Sequence, residues 1–140
     1  MSRLYPDRPF AAALAAVRRG GRVLLAQRSK GPVIGRWGFP GGMQELGETI
    51  LAAAQRELKE ETGIEAEPLK VLDVLDRIGH DGEGRVQSHF TLICVLLDWR
   101  RGEGEPIEEA SALGWFTPEE AQALDKFPDA ERLMRMALTR

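Results

Sequence analysis

The sequence of 140 residues has a single cysteine and no long apolar run, so it lacks the features of disulfide-rich proteins and of membrane-spanning helices. Its single cysteine, Cys94, cannot form an internal disulfide, and its place in the apolar run 92–97 predicts a buried thiol. This cysteine usage fits a reducing cytoplasm. No apolar run approaches the roughly 20 residues that a membrane-spanning helix needs, and residues 1–9 contain no hydrophobic signal core. The sequence therefore predicts a cytoplasmic location and no membrane partner.

Basic charge is also scarce. Lysine and arginine number 19 against 22 aspartates and glutamates, which gives a net charge of −3 and an isoelectric point near 5.5. Nucleic-acid-binding domains usually carry a basic surplus, so DNA binding is not expected and a small-molecule or protein partner is favoured. The hydrophobic fraction of 43% excludes a wholly disordered chain. The length suits one compact domain, which we predict over residues 1–140.

Hydrophobic periodicity and turn residues divide the chain into a mixture of strands and helices. Apolar runs bounded by turn residues predict strands over residues 10–17, 22–27, 71–78, 86–97 and 112–116, with a short one at 37–39 in a glycine-rich loop. Helical spacing predicts helices over residues 49–62 and 128–138. The alanine-rich first run leaves a helix as the alternative there. Thr49 suits the N-cap of the longer helix and Gly63 its end. The prediction is an α/β or α+β domain.

Three glutamates of the longer helix are placed for chemistry. Glu57, Glu60 and Glu61 follow one another at i, i+3 and i+4, so they share one helix face, opposite an apolar, core-facing side. Clustered carboxylate oxygens suit Mg²⁺ or Mn²⁺, which prefer hard oxygen ligands. The alternative is an ordinary solvated face, which is the more common meaning of glutamates beside lysine and arginine on a helix.

A glycine pair precedes this helix. Gly41 and Gly42 let the backbone approach a ligand or a metal closely, and a free carbonyl there can serve as a further oxygen ligand. A glycine-rich loop, a helix and an acidic face together suggest phosphate chemistry.

The wider spacing resembles the Nudix hydrolase family. The family box is Gly, five residues, Glu, seven residues, Arg-Glu, an aliphatic residue, any residue, Glu-Glu, any residue, Gly and an aliphatic residue. The chain matches every position with Gly42, Glu48, Arg56, Glu57, Leu58, Glu60, Glu61, Gly63 and Ile64. A chance match at one register has a probability on the order of 10⁻⁸. A hairpin ending in Gln27-Arg28, the segment 37–42 and Trp115-Phe116 extend the resemblance over most of the chain.

The resemblance implies an α/β/α sandwich with a curved mixed β-sheet. It also implies Mg²⁺-dependent hydrolysis, with Mn²⁺ as a substitute, of the diphosphate linkage of a nucleoside diphosphate joined to another moiety. The segment 88–91 and the apolar strand after it look more like ADP-ribose and nucleotide-sugar hydrolases, so ADP-ribose or a related compound is the expected substrate. A mutator-type hydrolase of damaged nucleoside triphosphates is the alternative, and a non-catalytic nucleotide sensor is a third reading. Family members are often dimers, so a homodimer is compatible with the resemblance.

Residue roles follow from the same resemblance. The implied metal ligands are the carbonyl of Gly41 and the carboxylates of Glu57, Glu60 and Glu61. The implied structural residues of the box are Gly42, Glu48 and Gly63, and Arg56 pairs with Glu48 to hold the box loop against the helix. Arg28 is a candidate phosphate contact. The candidate base for the attacking water is Glu57 or, in a later loop that also holds Glu105 and Glu108, Glu109.

Overall fold

The structure, a computed structural model, describes residues 3–31, 33–107 and 110–139. The strands are β1 (Phe10–Arg19), β2 (Arg22–Arg28), β3 (Trp37–Gly38), β4 (Gly41–Met43), β5 (Glu65–His80), β6 (Val86–Arg101) and β7 (Ala110–Phe116). The helices are α1 (Ile50–Thr62), α2 (Pro118–Ala121) and α3 (Ala130–Thr139). The predicted hairpin, the predicted helices and the strands after the long helix are all present. The helical alternative for residues 10–17 is wrong.

A mixed sheet in the order β3-β2-β1-β6-β5 forms the centre of the molecule, with β4 also beside β1 and β7 beside β2. Strand β1 runs parallel to β6 from Phe10 to Arg18, and it has β2 and β4 on its other edge. Because β1 is thus an interior strand buried on both faces, its sequence lacks the polar alternation of a half-exposed strand. This explains why its alanine-rich sequence could also be interpreted as a helix.

Strands β1 and β2 separate soon after their turn. They pair only at the hairpin end, through Arg18 with Val23 and Arg19 with Arg22. Beyond this point β4 takes the place beside β1, and β3 takes the place beside β2. The chain therefore crosses between the two diverging strands at residues 39–40, directly before the glycine pair.

Two apolar clusters lie on opposite faces of the sheet. Ala13, Ala15 and Val17 of β1 face α1, where they meet its buried Ala54 and Leu58. The other face carries α2 and α3, and its cluster comprises Ala16, Val23, Leu25, Leu72, Cys94, Leu96, Ala121, Leu133, Met134 and Ala137. This alternation along β1 is the period-2 pattern of a strand covered on both sides. The arrangement is the expected α/β/α sandwich.

Candidate active site

Helix α1 is held at both ends as its sequence predicts. The Thr49 hydroxyl accepts a hydrogen bond from the N–H of Ala52, and Gly63 ends the helix in the left-handed conformation at φ 76°. Its Ala53, Ala54 and Leu58 are fully buried. The polar face is therefore displayed from a rigid element that is anchored in the core.

The glycine content of residues 41–43 predicts a loop, but in the structure these residues form strand β4. Gly41, Gly42 and Met43 pair with Leu14, Ala13 and Ala12 of β1. A side chain at Gly41 has no room, because an added Cβ lies 2.2 Å from the carbonyl oxygen of Ala13. The glycines therefore let the box backbone join the sheet directly under α1.

Two of the three predicted metal-binding glutamates meet this backbone. The N–H of Gly41 donates to Oε2 of Glu61 at 2.8 Å. A Cβ added to Gly42 lies 2.4–2.6 Å from the carboxylate atoms of Glu57, so that carboxylate sits against the glycine. Gly41 occupies a non-hydrogen-bonded position of the β1–β4 pair, because Pro40 and Gln44 form the flanking backbone bonds to β1. Its carbonyl therefore points away from β1, to the side of the Glu61 carboxylate.

Arg56 binds the third glutamate and connects the box loop to the helix. Its Nε and Nη2 donate to the two carboxylate oxygens of Glu48 at 2.7 and 3.0 Å, and Nη2 also donates to the carbonyl of Met43. Its Nη1 donates to Glu57 at 2.9 Å and to Glu60 at 3.1 Å. The hydrogen bonds that Arg56 donates to Glu48 raise the pKa of Arg56 and lower the pKa of Glu48. The pair is therefore ionised in the folded protein.

The electrostatic balance of this cluster favours a bound cation. The Arg56 guanidinium faces four carboxylates, those of Glu45, Glu48, Glu57 and Glu60, and Glu61 adds a fifth negative charge nearby. The Glu60 side chain remains 47% exposed beside Arg56. Among residues 3–31, 33–107 and 110–139, no three acidic, histidine or cysteine side chains converge in the arrangement of a metal site. The donor set nevertheless fits Mg²⁺, because two carboxylates and a backbone carbonyl are the hard oxygen ligands that this ion prefers.

Arg28, the predicted phosphate contact, is the last residue of β2 and precedes the box in the sequence. Its N–H donates to the carbonyl of Arg36 at 2.9 Å, its carbonyl accepts from Gly35 at 2.8 Å, and it pairs with Ala110 of β7. Its proposed phosphate contact stays a prediction. Glu109, the alternative base, lies outside the described residues, as does Glu108.

Sequence reasoning missed the attachment of the loop after β6 to the end of α1. The N–H of Glu105 donates to the carbonyl of Thr62 at 2.9 Å, and that of Ile107 donates to the carbonyl of Glu61 at 3.0 Å. Gly104 makes this approach possible, because a Cβ there lies 2.8 Å from Ile64. These bonds satisfy carbonyls that a helix end leaves unpaired. Gly102 and Gly104 are the sequence signal that could have indicated the close approach of this loop to the end of α1.

The structure places a glycine strand under an acidic helix inside an α/β/α sandwich. Comparison with known proteins identifies the family to which this arrangement belongs. The sequence model of the NUDIX domain matches residues 7–137. The chain is 35% identical over 129 residues to the oxidized purine nucleoside triphosphate hydrolase of Mus musculus, covering 91% of this chain and 74% of that protein. It is 33% identical over 114 residues to an ADP-ribose pyrophosphatase of Methanocaldococcus jannaschii, covering 81% of this chain and 64% of that protein.

A solved structure agrees with these relatives. The crystal structure of a MutT NUDIX hydrolase from Burkholderia pseudomallei has a TM-score of 0.73 and 32% identity, covering 95% of this chain and 98% of that chain. The chain belongs to the Nudix family, and it is a hydrolase that acts on phosphorus-containing acid anhydrides.

Within the described residues, no helix is long and apolar enough to cross a membrane.

Proposed function

We propose that this Nudix hydrolase cleaves the diphosphate linkage of a nucleoside diphosphate joined to another group, in a Mg²⁺-dependent reaction. The observation that carries the proposal is the position of Glu57 and Glu61 against the backbone of Gly41 and Gly42. ADP-ribose, the substrate expected from the sequence, contains the linkage. So does an oxidised nucleoside triphosphate, the kind of substrate in the name of the mouse relative.

The residues of the site have two kinds of role in such a hydrolysis, metal binding and positioning. Glu57, Glu61 and the carbonyl of Gly41 would hold the Mg²⁺, with Glu60 joining them. A bound divalent cation neutralises phosphate oxygens and acidifies water. Arg56 keeps Glu48 and the box loop against α1, which holds the carboxylates in place. Positioning of this kind carries most of the catalysis in phosphoryl transfer.

Water is the second reactant. It adds to one phosphorus while the bridging P–O bond breaks, which leaves two phosphate-bearing products. A carboxylate must accept the proton that the water loses. Glu57 is our first candidate, because its side chain is only 16% exposed and sits against the glycine backbone. Glu109 is the second candidate.

A substrate panel tests this proposal. Purified protein is assayed with Mg²⁺ and with chelator on ADP-ribose, nucleotide sugars, dinucleoside polyphosphates, capped or triphosphorylated RNA, and normal and oxidised nucleoside triphosphates. We expect turnover that is lost with chelator and returns with added Mg²⁺ or Mn²⁺. No metal-dependent turnover of any compound would instead favour a nucleotide-binding sensor, although the chain retains every glutamate of the box.

A further inference from the structure

The last turn of α1 carries two of the three glutamates that we assign to metal binding. Glu60 and Glu61 directly precede Thr62, where the helix ends. The final carbonyls of a helix have no partners inside the helix, and helix ends fray. Fraying of this turn would displace two carboxylates of the site together. The affinity of the site for a cation therefore depends on what holds the end of α1.

The loop after β6, residues 102–107, holds this turn. The N–H of Ile107 donates to the carbonyl of Glu61 at 3.0 Å, and the N–H of Glu105 donates to the carbonyl of Thr62 at 2.9 Å. The loop backbone thus takes the place of the next helical turn, which would otherwise supply these donors.

Three side chains fix the start of this loop, and we call them the clasp: Arg19, Trp99 and Glu103. The Nη1 and Nη2 atoms of Arg19 donate to the two carboxylate oxygens of Glu103 at 2.7 and 3.3 Å. The guanidinium carbon of Arg19 stands 3.8 Å from the centroid of the Trp99 ring. The indole Nε1 of Trp99 donates to the carbonyl of Gly102 at 2.8 Å. One planar guanidinium therefore connects the sheet to the loop by stacking and by a bidentate ion pair.

The clasp lies too far from the glycine pair to touch a cation there. Leu14 of β1 pairs with Gly41, and Arg19 lies five residues further along the same strand, a distance of about 16 Å. Any effect of the clasp on the metal site must therefore pass through the loop and the end of α1.

We propose that Arg19, Trp99 and Glu103 are positioning residues that set the cation affinity of the active site. They act by holding loop 102–107 against the last turn of α1. This inference rests on the proposed function, because it concerns the metal site of that reaction. Ligands that are already held in place lose less conformational freedom on binding, so they bind a cation more tightly. Coupling is reciprocal, so a bound cation must also stabilise the loop.

Removal of Arg19 distinguishes positioning from simple electrostatics. Arg19→Ala takes away one positive charge, and if charge alone mattered, the protein would bind a cation more tightly. If the clasp positions the loop, the same substitution weakens cation binding. The two explanations therefore predict changes of opposite sign.

Binding of Mn²⁺ to the metal-free protein, followed by the electron paramagnetic resonance of the free ion, measures this change without any hydrolysis. We expect Arg19→Ala to weaken Mn²⁺ binding about 5-fold, in keeping with the modest strength of exposed ion pairs and cation–π contacts. Glu103→Ala, at a side chain that is 78% exposed, should weaken binding without disturbing the core. The double variant should lose little more than either single variant, because both remove the same contact.

Arg135→Ala is the matched control. Arg135 also forms an exposed ion pair with two glutamates, Glu119 and Glu131, but it lies on α3, on the other face of the sheet from α1. Its replacement should leave the Mn²⁺ affinity unchanged.

Hydrogen exchange of the loop amides gives a second readout, which an ion pair that only stabilises the fold would not produce. By nuclear magnetic resonance, the amides of Glu105 and Ile107 should exchange faster in Arg19→Ala than in the unaltered protein. Addition of Mg²⁺ to the unaltered protein should slow both amides, because the coupling is reciprocal.

Three results would overturn the inference. They are an unchanged or tighter Mn²⁺ affinity in Arg19→Ala, fully additive losses in the double variant, and exchange of the two amides that does not respond to Mg²⁺. Failure of the proposed function is distinguishable, because the protein would then bind Mn²⁺ and yet hydrolyse none of the compounds in the substrate panel.

Discussion

Replacing Gly42 with alanine separates the geometry of the active site from the stability of the fold. The new Cβ would lie 2.4 Å from Cδ of Glu57, whereas ordinary contacts begin at 3.4 Å. The carboxylate must therefore move by about 1 Å, and a displacement of that size can reduce a catalytic rate by about 100-fold. Because only the end of a flexible side chain moves, we expect the free energy of unfolding to fall by less than about 1 kcal/mol.

The neighbouring glycine provides the contrast. A Cβ at Gly41 would lie 2.2 Å from the backbone carbonyl oxygen of Ala13, so β4 and β1 would have to separate. Such overpacking costs about 1–3 kcal/mol, so Gly41→Ala should lower stability as well as activity. Gly21→Ala is the neutral control, because nothing lies within 4 Å of its added Cβ.

Steady-state hydrolysis with Mg²⁺ and urea unfolding followed by circular dichroism measure the two effects on the same preparations. Full activity of Gly42→Ala would refute the placement of Glu57 against the glycine. The placement would also be refuted if the fractional loss of activity were no larger than the fraction of unfolded Gly42→Ala protein. The substitution would then reduce activity only by destabilising the fold.

Three further predictions concern other groups. Glu60→Gln and Glu61→Gln should each reduce turnover strongly with an unchanged melting temperature, and unchanged activity in both would contradict the metal assignment. Because Arg56 lowers the pKa of Glu48, the stabilisation from this pair should be present at pH 7 and lost as the pH falls below about 4. The melting temperature of Glu48→Gln should therefore fall less on acidification than that of the unaltered protein. An identical fall in the two proteins would contradict the pairing. Burial raises the pKa of Cys94 to about 12, so the thiol should resist iodoacetamide in the folded protein and react with it in urea. Mass spectrometry measures the labelling. Rapid labelling of the folded protein would refute the burial of Cys94.

Local sequence patterns predicted α1 almost completely. Its caps, its buried face and the order of its glutamates all depend on residues within a few positions of one another. Strand β5 was predicted too short at 71–78, because its first part is polar and broken by register shifts along the sheet edge. Strand β4 was missed for a related reason: glycine is a poor strand former, and only the remote partner β1 makes Gly41–Met43 extended.

The predicted site shows the same division. Helical spacing placed Glu57, Glu60 and Glu61 on one face, but it could not say which partner each one meets. In the folded chain Glu57 and Glu61 contact the glycine strand, while Glu60 turns to Arg56. The clasp had no sequence signal, since Arg19 and Glu103 come from two distant segments.

The sequence is sufficient for the reaction class, because the box is a local motif whose spacing along one helix and its loop already encodes the acidic face. It is also sufficient for the capping of α1 and for the buried state of Cys94. The assembled sheet determines the remaining contacts of the site. It brings β4 under the helix, so that Gly41 and Gly42 meet the carboxylates, and it brings the end of β1 beside the end of β6, so that Arg19 meets Trp99. Contacts between such remote segments depend on how the strands pair and diverge, and no local periodicity records that pairing.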